Sequence, residues 1–244
     1  MNPQSSLSAY TSSVLELLER FSKSQAKVLQ EVADRIVEAH AQGKRFLVFG
    51  TGHSHMVAEE FYSRAGGLAF VTPMLQNELT LTDHPFKSTL IERTLGMASV
   101  YFELYHPEAG DVLLIASNSG RNALPVELAK LAKAAGVTVI AFTNLAQSQT
   151  VSSRHPEGKN LYHYADLVID NCGAYGDAGF DLGEGIVMGS TSTIIGAFMA
   201  QSLSILIAQS LRAKGMEVPV LRSGNLDGSD AINKVIKAKY FRSF

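Results

Sequence analysis

Residues 111–122, DVLLIASNSGRN, constrain the fold more than any other stretch. Val112 to Ala116 is an unbroken apolar run, too short for a helix and without the alternation of a half-exposed strand, so it reads as a strand covered on both faces. It empties into a Ser-Asn-Ser-Gly turn, and a helix-forming segment from Leu124 to Ala135 follows at once. A helix beginning there leaves its first backbone N–H groups without internal partners and carries partial positive charge. Ser117, Asn118, Ser119 and Asn122 add side-chain donors, and an anion such as a phosphate monoester fits such a place. The same residue types also serve as ordinary helix caps, so the turn alone leaves both readings open.

The pattern recurs along the chain. Phe46 to Phe49 reads as a strand, followed by GTGHSH at Gly50 to His55 and a helix from Met56 to Ala65. Leu68 to Thr72 is a short strand, Met74 to His84 is irregular, and Ser88 to His106 has the apolar spacing of one helix. Val137 to Thr143 and Leu167 to Asp170 are further strands, joined by a polar, loop-like connection. Strands and helices alternating at this spacing predict an α/β fold of three layers, α/β/α, around a five-stranded parallel sheet. Ligands bind such sheets beyond the carboxyl ends of the strands, where both turns fall. Ahead of this domain (44–244), residues 1–43 form a helical extension of two amphipathic helices, one with Val14, Leu17, Leu18 and Phe21 on a face, the other with Val28, Leu29, Val32, Ile36 and Val37. Asn171 to Glu184 reads as a long glycine-rich loop, and the tail as a turn at Ser223 to Gly228 before a helix from Ser229.

Net charge is −2 with pI near 6.4, which gives no basic footprint, so nucleic acid is not an expected partner. A single cysteine, Cys172, rules out an internal disulfide framework and suits a reducing compartment. With a polar N-terminus unlike a signal peptide, the expectation is a cytoplasmic protein. Residues 185–211 contain no charged residue and no histidine, which is length enough for a bilayer span. Ser190, Thr191, Ser192, Thr193, Gln201, Ser204 and Gln209 interrupt it, so it reads as a helix buried in protein or against another subunit of a homodimer or homotetramer, with no membrane partner.

GTGHSH is not a dinucleotide fingerprint: its third position is His55, where close packing wants Gly or Ala, and no carboxylate follows between Phe61 and Gln76 to hold a ribose. No Walker lysine follows either turn, so no nucleotide cofactor is expected. What remains is a Gly-x-Gly-x-Ser turn opposite a Ser-x-Ser-Gly turn, with Ser-Thr-Ser-Thr later at Ser190 to Thr193. From about Arg45 to Leu211 this combination resembles the sugar isomerase (SIS) domain, with its flavodoxin-like sheet. The resemblance implies a phosphosugar ligand, with its phosphate on Ser117, Asn118, Ser119 and Asn122. Gly52, His53 and Ser54 would flank the sugar, and Ser190 and Thr191 would join them from the uncharged helix. Asn122 stands where many members have Thr, which keeps a donor. The stretches DNCGAYGDAG, GSTST and GNLDGSD are most similar to an uncharacterised phosphoheptose isomerase-like group, and GSTST also resembles the N-acetylmuramic acid 6-phosphate etherases.

Aldose–ketose isomerisation needs a base to move a proton between neighbouring carbons, usually a carboxylate. Glu59, Glu60, Glu78 and Glu184 lie near strand ends, with Glu78 and Glu60 foremost. A second titrating group suits ring opening, and His53, His55 and His84 are available, His53 first. His53 and His55 with Glu59 also raise a zinc site, but three loosely spaced ligands without a second cluster leave metal outside the expected reading. The expectation is a phosphosugar isomerase acting through an enediolate. A phosphosugar lyase of the etherase type and a non-catalytic sensor are the alternatives.

Overall fold

The computed structural model describes residues 3–82, 84 and 86–241. Helix α1 is a single 39-residue helix, Pro3–Ala41, where two were expected. Pro3 suits a first helical position, and no glycine or further proline interrupts the rest of the helix. The two apolar faces are one stripe, because Leu17, Phe21, Leu29, Val32 and Ile36 are all buried along it. The polar residues between them belong to the same stripe. Ser24 Oγ meets Cys172 Sγ at 3.4 Å, and Gln25 accepts from the Asp170 amide at 3.0 Å.

Strands β1 (Phe46–Gly50), β2 (Val71–Pro73), β3 (Val112–Ala116), β4 (Thr138–Thr143) and β5 (Leu167–Asp170) form one parallel sheet in the order β2-β1-β3-β4-β5. Both faces are covered, which is why the strands read as continuous apolar runs. Phe46, Val48 and Leu114 face a core shared with α1, with α2 (His55–Phe61) and with α7 (Ser192–Ala213). Leu47, Phe49, Leu113 and Ile115 face a second core. Part of it comes from α4 (Met97–Tyr105), and part from α5 (Ala123–Ala134). Strand order reverses between β1 and β3, so the crevice at their carboxyl ends is the switch point of the sheet.

Other elements differ from expectation for local reasons. The helix expected over Ser88 to His106 is two, α3 (Lys87–Arg93) and α4, separated at Gly96, whose φ of +83° lies in the left-handed region. The polar connection after β4 begins with a short helix, α6 (Leu145–Thr150), capped by Asn144, whose side chain accepts from the Gln147 amide. The glycine-rich loop contains β6 (Ala178–Asp181), paired antiparallel with β7 (Val187–Ser190). The uncharged helix therefore starts at Ser192, and its Ile195, Met199, Leu203, Ile207 and Leu211 are buried. The tail forms α8 (Ser229–Tyr240).

Candidate active site

Two turns shape the mouth of the crevice, and each depends on a glycine. A Cβ on Gly50 would lie 2.2 Å from the Ser54 carbonyl oxygen, so only glycine lets the chain fold back over the end of β1. The Ser54 amide donates to the Thr51 carbonyl at 3.0 Å, which closes the turn and brings His53 and Ser54 to the crevice. After β3, Gly120 has φ +61°, and a Cβ there would lie 2.8 Å from Ser148 Oγ. Ser117 remains in the ladder, its amide donating to Phe142 O at 3.0 Å. Asn118 is fixed on both sides. Its carbonyl accepts from the Asn144 amide (2.9 Å) and Thr143 Oγ1 (3.0 Å), and its Oδ1 accepts from Asn171 Nδ2 (2.7 Å) at the end of β5.

Between these turns and α7 lies a cavity of about 320 Å³. Its polar wall is Ser54, Ser117, Asn118, Asn171, Ser192 and Thr193, and Val57, Phe142 and Ala197 line the rest with Met56. His53, Glu59, Glu60 and Arg64 bring the titratable groups. Glu60 accepts from Gln201 Nε2 at 2.7 Å and pairs with Arg64, so it is the carboxylate most firmly oriented there. Glu59 is half exposed and meets His55 Nδ1 at 3.0 Å. The arrangement offers neutral hydroxyl and amide donors on one side of a small polar cavity and an oriented carboxylate on the other. It suits a hydroxyl-rich anion that binds, reacts and leaves.

Residues 9–144 match the family model of the SIS domain. The chain belongs to the SIS domain family. A UPF0309 protein of Halalkalibacterium halodurans is 44% identical over 239 residues, which is 98% of this chain and 99% of that protein. Among solved structures, a phosphoheptose isomerase from Francisella tularensis aligns with a TM-score of 0.56 at 17% identity, over 86% of this chain and all of the other. A phosphoheptose isomerase from Neisseria gonorrhoeae aligns with a TM-score of 0.54 at 16% identity, over 86% and 98%. At these identities the likeness to solved structures is one of fold.

Within this SIS domain the residues singled out from sequence divide. His53, Ser54, Ser117, Asn118 and Glu60 come together on the cavity. Gly52, with φ +56°, shapes the first turn without lining the cavity. Ser119 is half-buried and stands off it. Ser190 and Thr191 are taken by Asp177: Ser190 Oγ donates to its Oδ2 (2.6 Å), the Thr191 amide to its Oδ1 (3.0 Å), and Thr191 Oγ1 to its carbonyl (2.9 Å). Burial pushes the Asp177 carboxyl up, but the hydrogen bonds from Ser190, Ser192 and Thr191 outweigh it and hold the group below its ordinary value. Glu78 lies in a short turn off the cavity, accepting from Tyr101 OH at 3.2 Å. That phenol is pushed up by burial and by the Glu78 charge. Glu184 sits exposed in the β6–β7 turn, His84 is exposed, and His55 is buried at 4% exposure behind the turn. Asn122 is the cap residue of α5, yet its side chain makes no capping bond. Cys172 is not an activated thiol, since burial pushes it up.

Sequence reasoning missed four contributors. Ser192 and Thr193 were within the Ser-Thr-Ser-Thr run but two places along, and Asn171 was recognisable only as the first residue of the glycine-rich loop after the last strand. Glu92 had no signal, being one glutamate in an amphipathic helix. It accepts from Thr51 Oγ1 at 2.6 Å and from Asn122 Nδ2 at 2.7 Å, joining the two turns. Burial pushes its carboxyl above the ordinary range, against the Thr51 hydroxyl and the charges of Arg93 and Arg154.

Proposed function

We propose that the protein binds a phosphorylated sugar and interconverts its aldose and ketose forms through an enediolate, as a phosphoheptose isomerase-like member of the SIS family. The observation that carries the reading is the placement of Glu60 in the same small cavity as Ser54, Ser117 and Asn118, at the switch point of the sheet. The phosphate is held by the Ser117–Asn118 turn, and the open sugar chain extends toward α2 and α7. Glu60 takes the proton from the carbon beside the carbonyl, the electron pair moves to the carbonyl oxygen, and the proton returns to the neighbouring carbon. His53, exposed at the cavity, exchanges protons with the sugar oxygens. The Francisella tularensis and Neisseria gonorrhoeae proteins of the same fold are phosphoheptose isomerases, which supports an isomerase over a lyase.

The test is exchange at the sugar C2 in deuterated water with a panel of hexose, heptose and amino-sugar phosphates. Wild type is expected to exchange at least one of them, and Glu60→Gln to lose that exchange by roughly a factor of 10² or more while still binding. Binding without exchange in wild type makes the protein a sensor, and loss of a C3 substituent makes it a lyase.

A further inference from the structure

Glu92 belongs to α3, a helix that the phosphosugar reading leaves without a role. On the face it shares with Ser88, α3 lies across the first turn: a Cβ on Gly52 would be 3.9 Å from Ser88 Oγ, and Ser88 is 2% exposed. One helical turn later, Glu92 receives Thr51 Oγ1 at 2.6 Å and Asn122 Nδ2 at 2.7 Å, while Arg154 Nη1 donates to Asn122 Oδ1 at 2.6 Å. Thr51 (6% exposed) leads into the turn after β1, and Asn122 (6% exposed) opens the helix after β3. One carboxylate thus spans the crevice where the strand order reverses.

The consequence for Asn122 is unusual. Asparagine at a helix cap ordinarily turns its oxygen onto the amides of the first turn. Here Glu92 takes its nitrogen and Arg154 takes its oxygen, and its side chain makes no capping bond to α5. We propose that Glu92 is the positioning residue of the site: it fixes the separation of the two turns through Thr51 and Asn122, and with Arg154 it keeps the Asn122 side chain off the helix start. The proposal rests on the reading that these turns hold a phosphorylated ligand.

The bridge tolerates a change of protonation. The groups around Glu92 are Thr51 from the turn, Asn122 and Arg154 across the crevice, and Arg93 beside it on α3. As a carboxylate, Glu92 accepts from both partners. Protonated on Oε2, it donates to Thr51 Oγ1, still accepts from Asn122, and frees the Thr51 hydroxyl hydrogen. A glutamine reproduces that second arrangement, with its amide nitrogen on Thr51 and its oxygen on Asn122.

The test is calorimetric binding of inorganic phosphate and of the hexose, heptose and amino-sugar phosphate panel, with melting temperatures measured alongside. For the tightest-bound compound, Glu92→Ala is expected to weaken binding at least tenfold. Glu92→Gln is expected to stay within threefold of wild type, and Thr51→Val, which removes one arm, to fall between them. Unchanged binding in Glu92→Ala or, should that variant not fold, in Thr51→Val overturns the proposal. So does Glu92→Gln as weak as Glu92→Ala, which makes the charge the active feature, or a loss of binding that only tracks a fall in melting temperature. If wild type binds none of the panel, the phosphosugar reading fails and this proposal fails with it. Binding by wild type with unaffected variants overturns the positioning role alone.

Discussion

The starts of α5 and α7 have nearly the same sequence chemistry and opposite fates. Each follows a strand and a run of small hydroxyl or amide residues, Ser117 to Asn122 in one case and Ser190 to Thr193 in the other. At α7 the chain supplies its own anion: Asp177 accepts from Ser190, Thr191 and Ser192, and of the hydroxyl run only Ser192 and Thr193 line the cavity. At α5 the residue best suited to cap is drawn sideways by Glu92 and Arg154. What a hydroxyl-rich helix start offers a ligand is thus decided by which of the protein's own charged groups reach it, and those come from residues distant in sequence.

The largest expected effect that sharpens this contrast is on stability. Asp177→Ala removes charge-assisted bonds from the start of α7 and is expected to destabilise the fold by ~2–4 kcal/mol. Ligand affinity, corrected for the unfolded fraction, is expected to stay the same. Urea denaturation with ligand titration checks both, and an affinity loss as large as the stability loss would place the phosphate on Ser190 and Thr191 instead. Ser117→Ala is expected to do the reverse, costing ~1–3 kcal/mol of sugar-phosphate affinity and little stability. Ser119→Ala should cost less affinity, since Ser119 stands off the cavity. Equal affinity losses for the two serines would break the assignment of the cavity wall.

The smallest expected effects are on pH dependence, and they have opposite signs. The Asp177 carboxyl is held below its ordinary 3.8, so its contribution to stability is present above that pH and is lost as pH falls through the folded-state value. Glu92 is held above its ordinary 4.5, so its contribution is present at lower pH and is lost as pH rises through the folded-state value. Asp177→Asn should flatten the acid limb of the stability curve, and Glu92→Gln the decline above about pH 4.5. Parallel curves for wild type and both variants would mean that neither carboxyl is perturbed.

The sheet was legible because burial on both faces leaves nothing to hide: Phe46 to Phe49 and Val112 to Ala116 are apolar at every position. The two turns were legible because each must begin or end on glycine where a side chain would strike backbone or a neighbouring hydroxyl. What was not legible depends on contacts between distant segments. The single helix α1 read as two because Ser24 and Gln25, between the two apolar faces, have their partners, Cys172 and the Asp170 amide, at the far end of β5. Ser190 and Thr191 were expected on the ligand, because the carboxylate that binds them is in the glycine-rich loop, and Glu92 carried no signal because its partners belong to two other elements.

The central claim is that a sugar phosphate binds between the turns after β1 and β3, with its phosphate on Ser117 and Asn118 and none of its contacts on Ser190 or Thr191. Backbone amide shifts followed during titration with the tightest-binding sugar phosphate test it most directly. The largest changes are expected at Ser54, Ser117 and Asn118, with Ser190 and Thr191 nearly still. Saturable changes centred on Ser190 and Thr191, with Ser117 and Asn118 unmoved, would contradict it.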